Sequence, residues 1–256
     1  MREYYVKEAA SYMRYQDLPG EMPLVLFIHG LGCAGSFDYP QVAAQSGLVK
    51  HRRILVDLLG TGYSDKPDSF DYRVSSHALY LKSFVDYLGA EEVIIFGHSM
   101  GGAVAIELAA MCTEKVSHLI LSESNLDPSA MGSASHRIAS FTENYFVGTG
   151  FQEIIDENKK NGNTMWAAAL ANWLPAAAYG LSLSAVKGGE PSWRKVLYEL
   201  PVPKGFIFGE RTLPDDDYEE LKQYGIHVEV VENAGHSMAW ENPCGLARAI
   251  CGCMEA

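Results

Sequence analysis

Short apolar, β-rich runs recur along the chain at 24–28, 53–57, 93–96, 118–122, 205–208 and 228–231, with helix-period segments between them. Such runs predict the buried strands of a mostly parallel sheet, whose two faces are both covered. The segment from His77 to Leu88 places Leu81, Phe84, Val85 and Leu88 on one face, as a crossover helix requires, and Met100 to Cys112 reads the same way. Ahead of the first run, YYVKEAA and SYMRYQD predict two strands joined by a turn and paired antiparallel.

The alternation stops between about Asn125 and Leu200, where five helix-like pieces follow one another without a strand. The pattern therefore predicts an α/β fold, a mostly parallel central sheet flanked by helices, with an inserted helical cap. Residues 1–124 and 201–256 form the core domain in this reading, and 125–200 the cap. Within the cap, Ile138, Phe141 and Tyr145 share a helical face, and Pro191 is placed to open the helix carrying Trp193 and Leu197. Three of the four tryptophans, Trp166, Trp173 and Trp193, fall in this insert. Packing of the cap's own core competes with substrate contact as their role. Phe141, Met165, Trp166 and Trp173 are the expected substrate-facing residues, since pockets of this kind are mostly apolar.

Composition narrows the function classes. Twenty Lys and Arg against 32 Asp and Glu leave a formal charge of −12, which disfavours nucleic acid and anionic membranes as partners. No apolar run approaches the roughly 18 residues of a membrane span, and the first residues lack the pattern of a secretory signal. Five cysteines, an odd number, read as reduced thiols, so a cytoplasmic location is expected. Cys244, Cys251 and Cys253 have no accompanying pair at zinc spacing, and neither a metal nor a cofactor is called for. Gly60-Thr61-Gly62 lacks the third glycine and the following helix start of a dinucleotide loop.

Three motifs carry chemistry, each at the end of an expected strand. Gly97-His98-Ser99-Met100-Gly101 matches G-x-S-x-G between the run 93–96 and a helix, the setting in which the serine sits exposed on a sharp, strained turn. His29-Gly30-Leu31-Gly32 follows the run 24–28, where a backbone amide can oppose a developing oxyanion. Gly235-His236 follows the run 228–231, a placement suited to a base on a loop. His98 should point away from Ser99, and His29 should brace its own loop. His51, His77, His118, His136 and His227 read as packing or surface residues. Ser99 as nucleophile and His236 as base follow from these positions.

The set FIHGLG, DLLGTGYSD, GHSMGG and AGHSMAWENP, in this order, resembles the α/β-hydrolase superfamily over nearly the whole chain outside the cap. The resemblance implies that Ser99 attacks a carbonyl, that His236 relays the proton, and that the amides of Leu31 and Met100 form the oxyanion hole. It implies an esterase-like serine hydrolase acting through an acyl-enzyme on a small, mostly apolar acyl substrate, an ester, thioester or lactone. A serine argues against the haloalkane dehalogenases and epoxide hydrolases of this fold, which use an aspartate there. A lyase or carbon-carbon hydrolase using the same triad, or a binding protein that has lost turnover, are the alternatives.

One departure concerns the triad acid. Where the family commonly has Gly-x-x-Asp, this chain reads Gly209-Glu210-Arg211-Thr212. Glu123, directly after the run 118–122, is the expected substitute, because strand ends gather on one edge of such a sheet. A subset of the haloalkane dehalogenases resembles this arrangement, with a proline a few residues on, as Pro128 is here. Asp127, Glu210, Asp215, Asp216 and Asp217 are the other candidates.

Overall fold

The computed structural model describes all residues, Met1–Ala256. Eight strands form one sheet: β1 (Arg2–Val6), β2 (Ser11–Leu18), β3 (Glu21–Ile28), β4 (His51–Asp57), β5 (Val93–His98), β6 (Val116–Ser122), β7 (Lys204–Gly209) and β8 (His227–Val231). Their spatial order is β1-β2-β4-β3-β5-β6-β7-β8. The pairs β1–β2 and β2–β4 are antiparallel and all others parallel, so β2 alone runs against the rest.

Period-two burial divides the core into two clusters. Leu24, Leu26, Ile28, Val93 and Ile95 join the helices Val74–Tyr87 and Met100–Met111 on one face. Val25, Phe27, Ile94 and Phe96 pack on the other with Leu246 and Ile250 of the helix Pro243–Glu255. Alternate side chains of a strand point to opposite faces, so continuous apolar runs were required to cover both. The helix Met100–Met111 is buried nearly all round, because it is packed by the sheet, the helix Val74–Tyr87 and the cap helix Trp193–Glu199.

Between β6 and β7 the chain forms helices and no strand. Ala134–Ala139, Thr164–Leu170, Pro175–Lys187 and Trp193–Glu199 are separate helices, whereas Glu143–Tyr145, Phe146–Gly150 and Phe151–Lys160 follow without a break, the middle piece in π-helical form. The face expected to join Ile138, Phe141 and Tyr145 is therefore interrupted. Ser140 ends the first helix, its Oγ donating to Arg137 O at 2.7 Å, and Phe141 falls in the gap. Nor does Pro191 open its helix: Ser192 does, by accepting the Lys195 N–H.

The three cap tryptophans do something composition did not indicate. Each sends its indole N–H across to the core, Trp166 to Leu31 O at 2.9 Å, Trp173 to Cys33 O at 2.8 Å and Trp193 to Glu107 Oε1 at 2.8 Å. Gly60, in the loop after β4, accepts the Leu174 N–H, and a Cβ there would lie 2.5 Å from Ala177 Cβ. That glycine serves the close approach of the cap. No helix is long and apolar enough to cross a membrane.

Candidate active site

Ser99 stands immediately after β5 with φ 52° and ψ −125°, a conformation L-residues rarely adopt. Its surroundings impose it. A Cβ at Gly97 would lie 2.6 Å from Gly101 O, and one at Gly101 would lie 2.4 Å from His29 O, so strand, turn and helix approach closely only with glycine at both places. The Ser99 N–H donates to Ser122 O at 2.9 Å, which ties the turn to the end of β6. Strain of this type costs on the order of 1–3 kcal/mol and persists only where the neighbours over-determine it.

The loop after β3 is braced from below. His29 is fully buried, with Nδ1 2.9 Å from Gly30 O and Nε2 accepting the Leu58 N–H at 3.1 Å. Burial pushes its basicity down, outweighing the Gly30 carbonyl and Asp57, so the ring is neutral and its one proton serves Gly30. The Leu31 N–H has no acceptor within the chain. The Met100 N–H opens its helix and has none in that helix. From above, the Trp166 indole holds the Leu31 carbonyl.

His236 lies on the loop after β8, and its Nδ1 is 3.8 Å from Glu123 Oε2. Glu123, itself at φ 45°, is largely enclosed, whereas the imidazole is half exposed. Glu123 Oε1 accepts the Gly209 N–H at 2.8 Å and the Thr212 hydroxyl at 2.5 Å. Burial works against ionisation of this carboxyl, but His236, Thr212 and Gly209 together outweigh it and hold it below the usual carboxylate value. Thr212, which stands where the expected aspartate is missing, thus steadies the carboxylate from the neighbouring strand.

The other acids are engaged elsewhere. Asp127 and Asp217 both pair with Arg194, Glu210 accepts the Asn233 N–H, and Asp215 accepts the Asp217 N–H. Asp216 is exposed and makes no such contact with His236. Glu241, unremarked within AGHSMAWENP, accepts the Gly235 N–H at 2.7 Å and so holds the histidine loop. His98 turns to Ser122, with Nδ1 3.0 Å from its Oγ, and its ring centre is 4.8 Å from that of His236. Burial first, and then the neighbouring His236, keep His98 neutral.

A cavity of about 580 Å³ opens at this edge, bordered by Leu31, Ser99, Glu123 and His236 from the core and by Ser133, Ser135, Asn158 and Trp166 from the cap. Of the cap residues expected to face substrate, only Trp166 borders it. Trp173 is buried against Cys33, Phe141 stacks on Tyr145, and Met165 is half exposed, away from the cavity. The expected apolar lining is corrected as well: 4 of 16 bordering residues are hydrophobic, because the cap turns polar helix ends toward Ser99. A larger groove of about 980 Å³, bordered by Glu107, Lys187 and Trp193, contains neither Ser99 nor His236, so size does not mark the chemistry here.

A family model described as "alpha/beta hydrolase fold" matches residues 23–178. A haloalkane dehalogenase of Mesorhizobium japonicum is 35% identical over 116 residues, 44% of this chain and 36% of that protein. The chain thus spans about a third of the length of the curated relatives it matches. Among solved structures, the N-acyl homoserine lactonase AidH, complexed with N-butanoyl homoserine, is 21% identical with a TM-score of 0.75, covering 100% of this chain and 98% of that one. An esterase from Exiguobacterium antarcticum is 16% identical with a TM-score of 0.80, covering 99% of both chains. At these identities the two structures share the fold.

Proposed function

Since the chain belongs to the alpha/beta hydrolase fold family, we propose that it is a serine hydrolase that cleaves a small ester, thioester or lactone through an acyl-enzyme on Ser99. The observation that carries this reading is the convergence of Ser99, His236 and a fixed carboxylate, Glu123, on one cavity. Each comes from the end of a different strand, so the rigid sheet sets their positions.

In the first step His236 Nε2 takes the proton of Ser99 Oγ as that oxygen attacks the substrate carbonyl. The oxyanion is met by the Leu31 and Met100 N–H groups, which have no acceptor within the chain and are held by the backbone of the two strand ends. Glu123 keeps the Nδ1 proton in place and offsets the charge of the imidazolium. As the tetrahedral adduct collapses, His236 gives its proton to the leaving oxygen or sulfur, and the acyl group stays on Ser99. Water, deprotonated by His236, then attacks that ester and frees the acid and the serine.

Chemistry separates this reading from dehalogenation, the activity named for the Mesorhizobium relative. Displacement of a halide by Ser99 would leave an alkyl ether, which has no carbonyl for water to attack. An esterase and a lactonase among the fold neighbours are consistent with acyl transfer. The test is covalent labelling by a fluorophosphonate together with a p-nitrophenol burst from short-chain esters. Labelling at Ser99 and a burst of one equivalent are expected. Folded protein that is neither labelled nor acylated refutes the proposal and favours a binding protein.

A further inference from the structure

The cavity over Ser99 is walled mainly by uncharged hydrogen-bonding groups, several of them without a partner in the chain. Ser135 borders the cavity, and its Oγ, accessible from it, makes no hydrogen bond within the chain. Ser133 Oγ accepts the His136 N–H and leaves its own proton free. Asn125 uses its amide nitrogen on Ser129 and leaves its oxygen open. Asn158 Nδ2 donates to Ile154 O, which leaves one N–H. Donors and acceptors thus occur together. Arg137, the only Arg or Lys on the wall, is bound through both terminal nitrogens to the two oxygens of Glu157.

We propose that the substrate is a neutral ester or lactone bearing hydroxyl or carboxamide groups beyond the scissile carbonyl. This rests on the reading of Ser99 as the nucleophile. An alkyl chain in this space would displace water from Ser135, Asn158 and Asn125 and return no hydrogen bond, and a buried polar group left unpaired costs about 1–3 kcal/mol. Hydroxyls and amides both donate and accept, so they match a wall that does both. An anionic substrate would have to compete with Glu157 for Arg137, against a chain of net charge −12. Sites that hydrogen-bond a substrate group discriminate strongly against analogues lacking it.

The experiment compares matched esters, each rate divided by that of hydroxide-catalysed hydrolysis to remove intrinsic reactivity. p-Nitrophenyl butanoate is set against its 3-hydroxy counterpart, and propyl butanoate against glyceryl monobutanoate, which place the hydroxyls on the acyl and alcohol sides respectively. In at least one pair, kcat/KM is expected to favour the hydroxylated ester by roughly tenfold or more. Ser135→Ala and Asn158→Leu should each reduce that preference toward one. Because the preference is first measured in the unaltered protein, a variant that fails to fold does not obscure it. Acylation of Ser99 with no preference in either pair, or faster turnover of p-nitrophenyl hemisuccinate, an anionic ester of the same chain length, than of the butanoate, overturns this inference alone. Failure of every ester to acylate Ser99 overturns the functional reading and this inference with it.

Discussion

Replacing Glu123 by glutamine keeps the side chain's shape and removes its charge. Oε1 is held by the Gly209 N–H and the Thr212 hydroxyl, two donors, so the amide oxygen of a glutamine must occupy that position. Its NH2 then faces His236 Nδ1, the atom that Glu123 Oε2 faces at 3.8 Å. A donor there stabilises the tautomer with its proton on Nε2, which cannot accept the proton of Ser99. Turnover should fall by about 10⁴-fold, the scale found when the orienting acid of such a triad becomes an amide. That corresponds to roughly 5.5 kcal/mol in activation free energy. Stability should change far less. Two charge-assisted hydrogen bonds become neutral ones, at a cost of about 1 kcal/mol each, and burial of an amide is less unfavourable than burial of a carboxylate. Steady-state hydrolysis of p-nitrophenyl butanoate and thermal melting measure the two quantities separately. A glutamine variant retaining a tenth of the activity, or an amide at Asp127, Glu210 or Asp217 that silences the enzyme, would refute the assignment.

Ser99→Gly should abolish turnover and raise the melting temperature, since glycine relieves the strain at φ 52°; a lower melting temperature counts against stored strain. Thr212→Val should lower kcat by roughly tenfold through loss of one bond to the Glu123 carboxylate, with recovery in Thr212→Ser; a kcat unchanged in the valine variant removes Thr212 from the site. Trp166→Phe should loosen the Leu31 carbonyl and reduce kcat by about three- to tenfold with little change in melting temperature, and equal loss in both measurements would mark a packing role instead. The folded pKa of Glu123 lies below its ordinary 4.5, so its contribution to stability is complete above that value and is lost as pH falls through the folded one. The melting-temperature gap between the parent protein and Glu123→Gln should therefore shrink in acid, and a widening gap would contradict the sign.

The sheet, its crossover helices and the positions of Ser99, His236 and Glu123 at strand ends were legible in the sequence because they depend on local pattern. Period-two burial, glycine at 97 and 101 and an apolar run before each motif are properties of a few consecutive residues. Those patterns also bring the strand ends to one edge, which is why an acid after β6 could be matched to a histidine after β8. Which of the candidate acids lies beside His236 is set by the tertiary structure, and it is Glu123. Asp127 and Asp217 are occupied by Arg194, 67 positions from the first of them, and only the folded chain brings Thr212 to Glu123. The cap was legible as helices and illegible as a surface. Trp173 and Trp193 have the composition of a substrate wall, but their indole N–H groups require acceptors when buried, and the acceptors lie on the core. The polar lining followed from the same cause. With the large aromatics drawn to the seam between cap and core, the helix ends carrying Ser133, Ser135 and Asn158 are left facing Ser99. Long-range hydrogen bonding made that arrangement, and no pattern along the sequence encodes which distant carbonyl an indole will find.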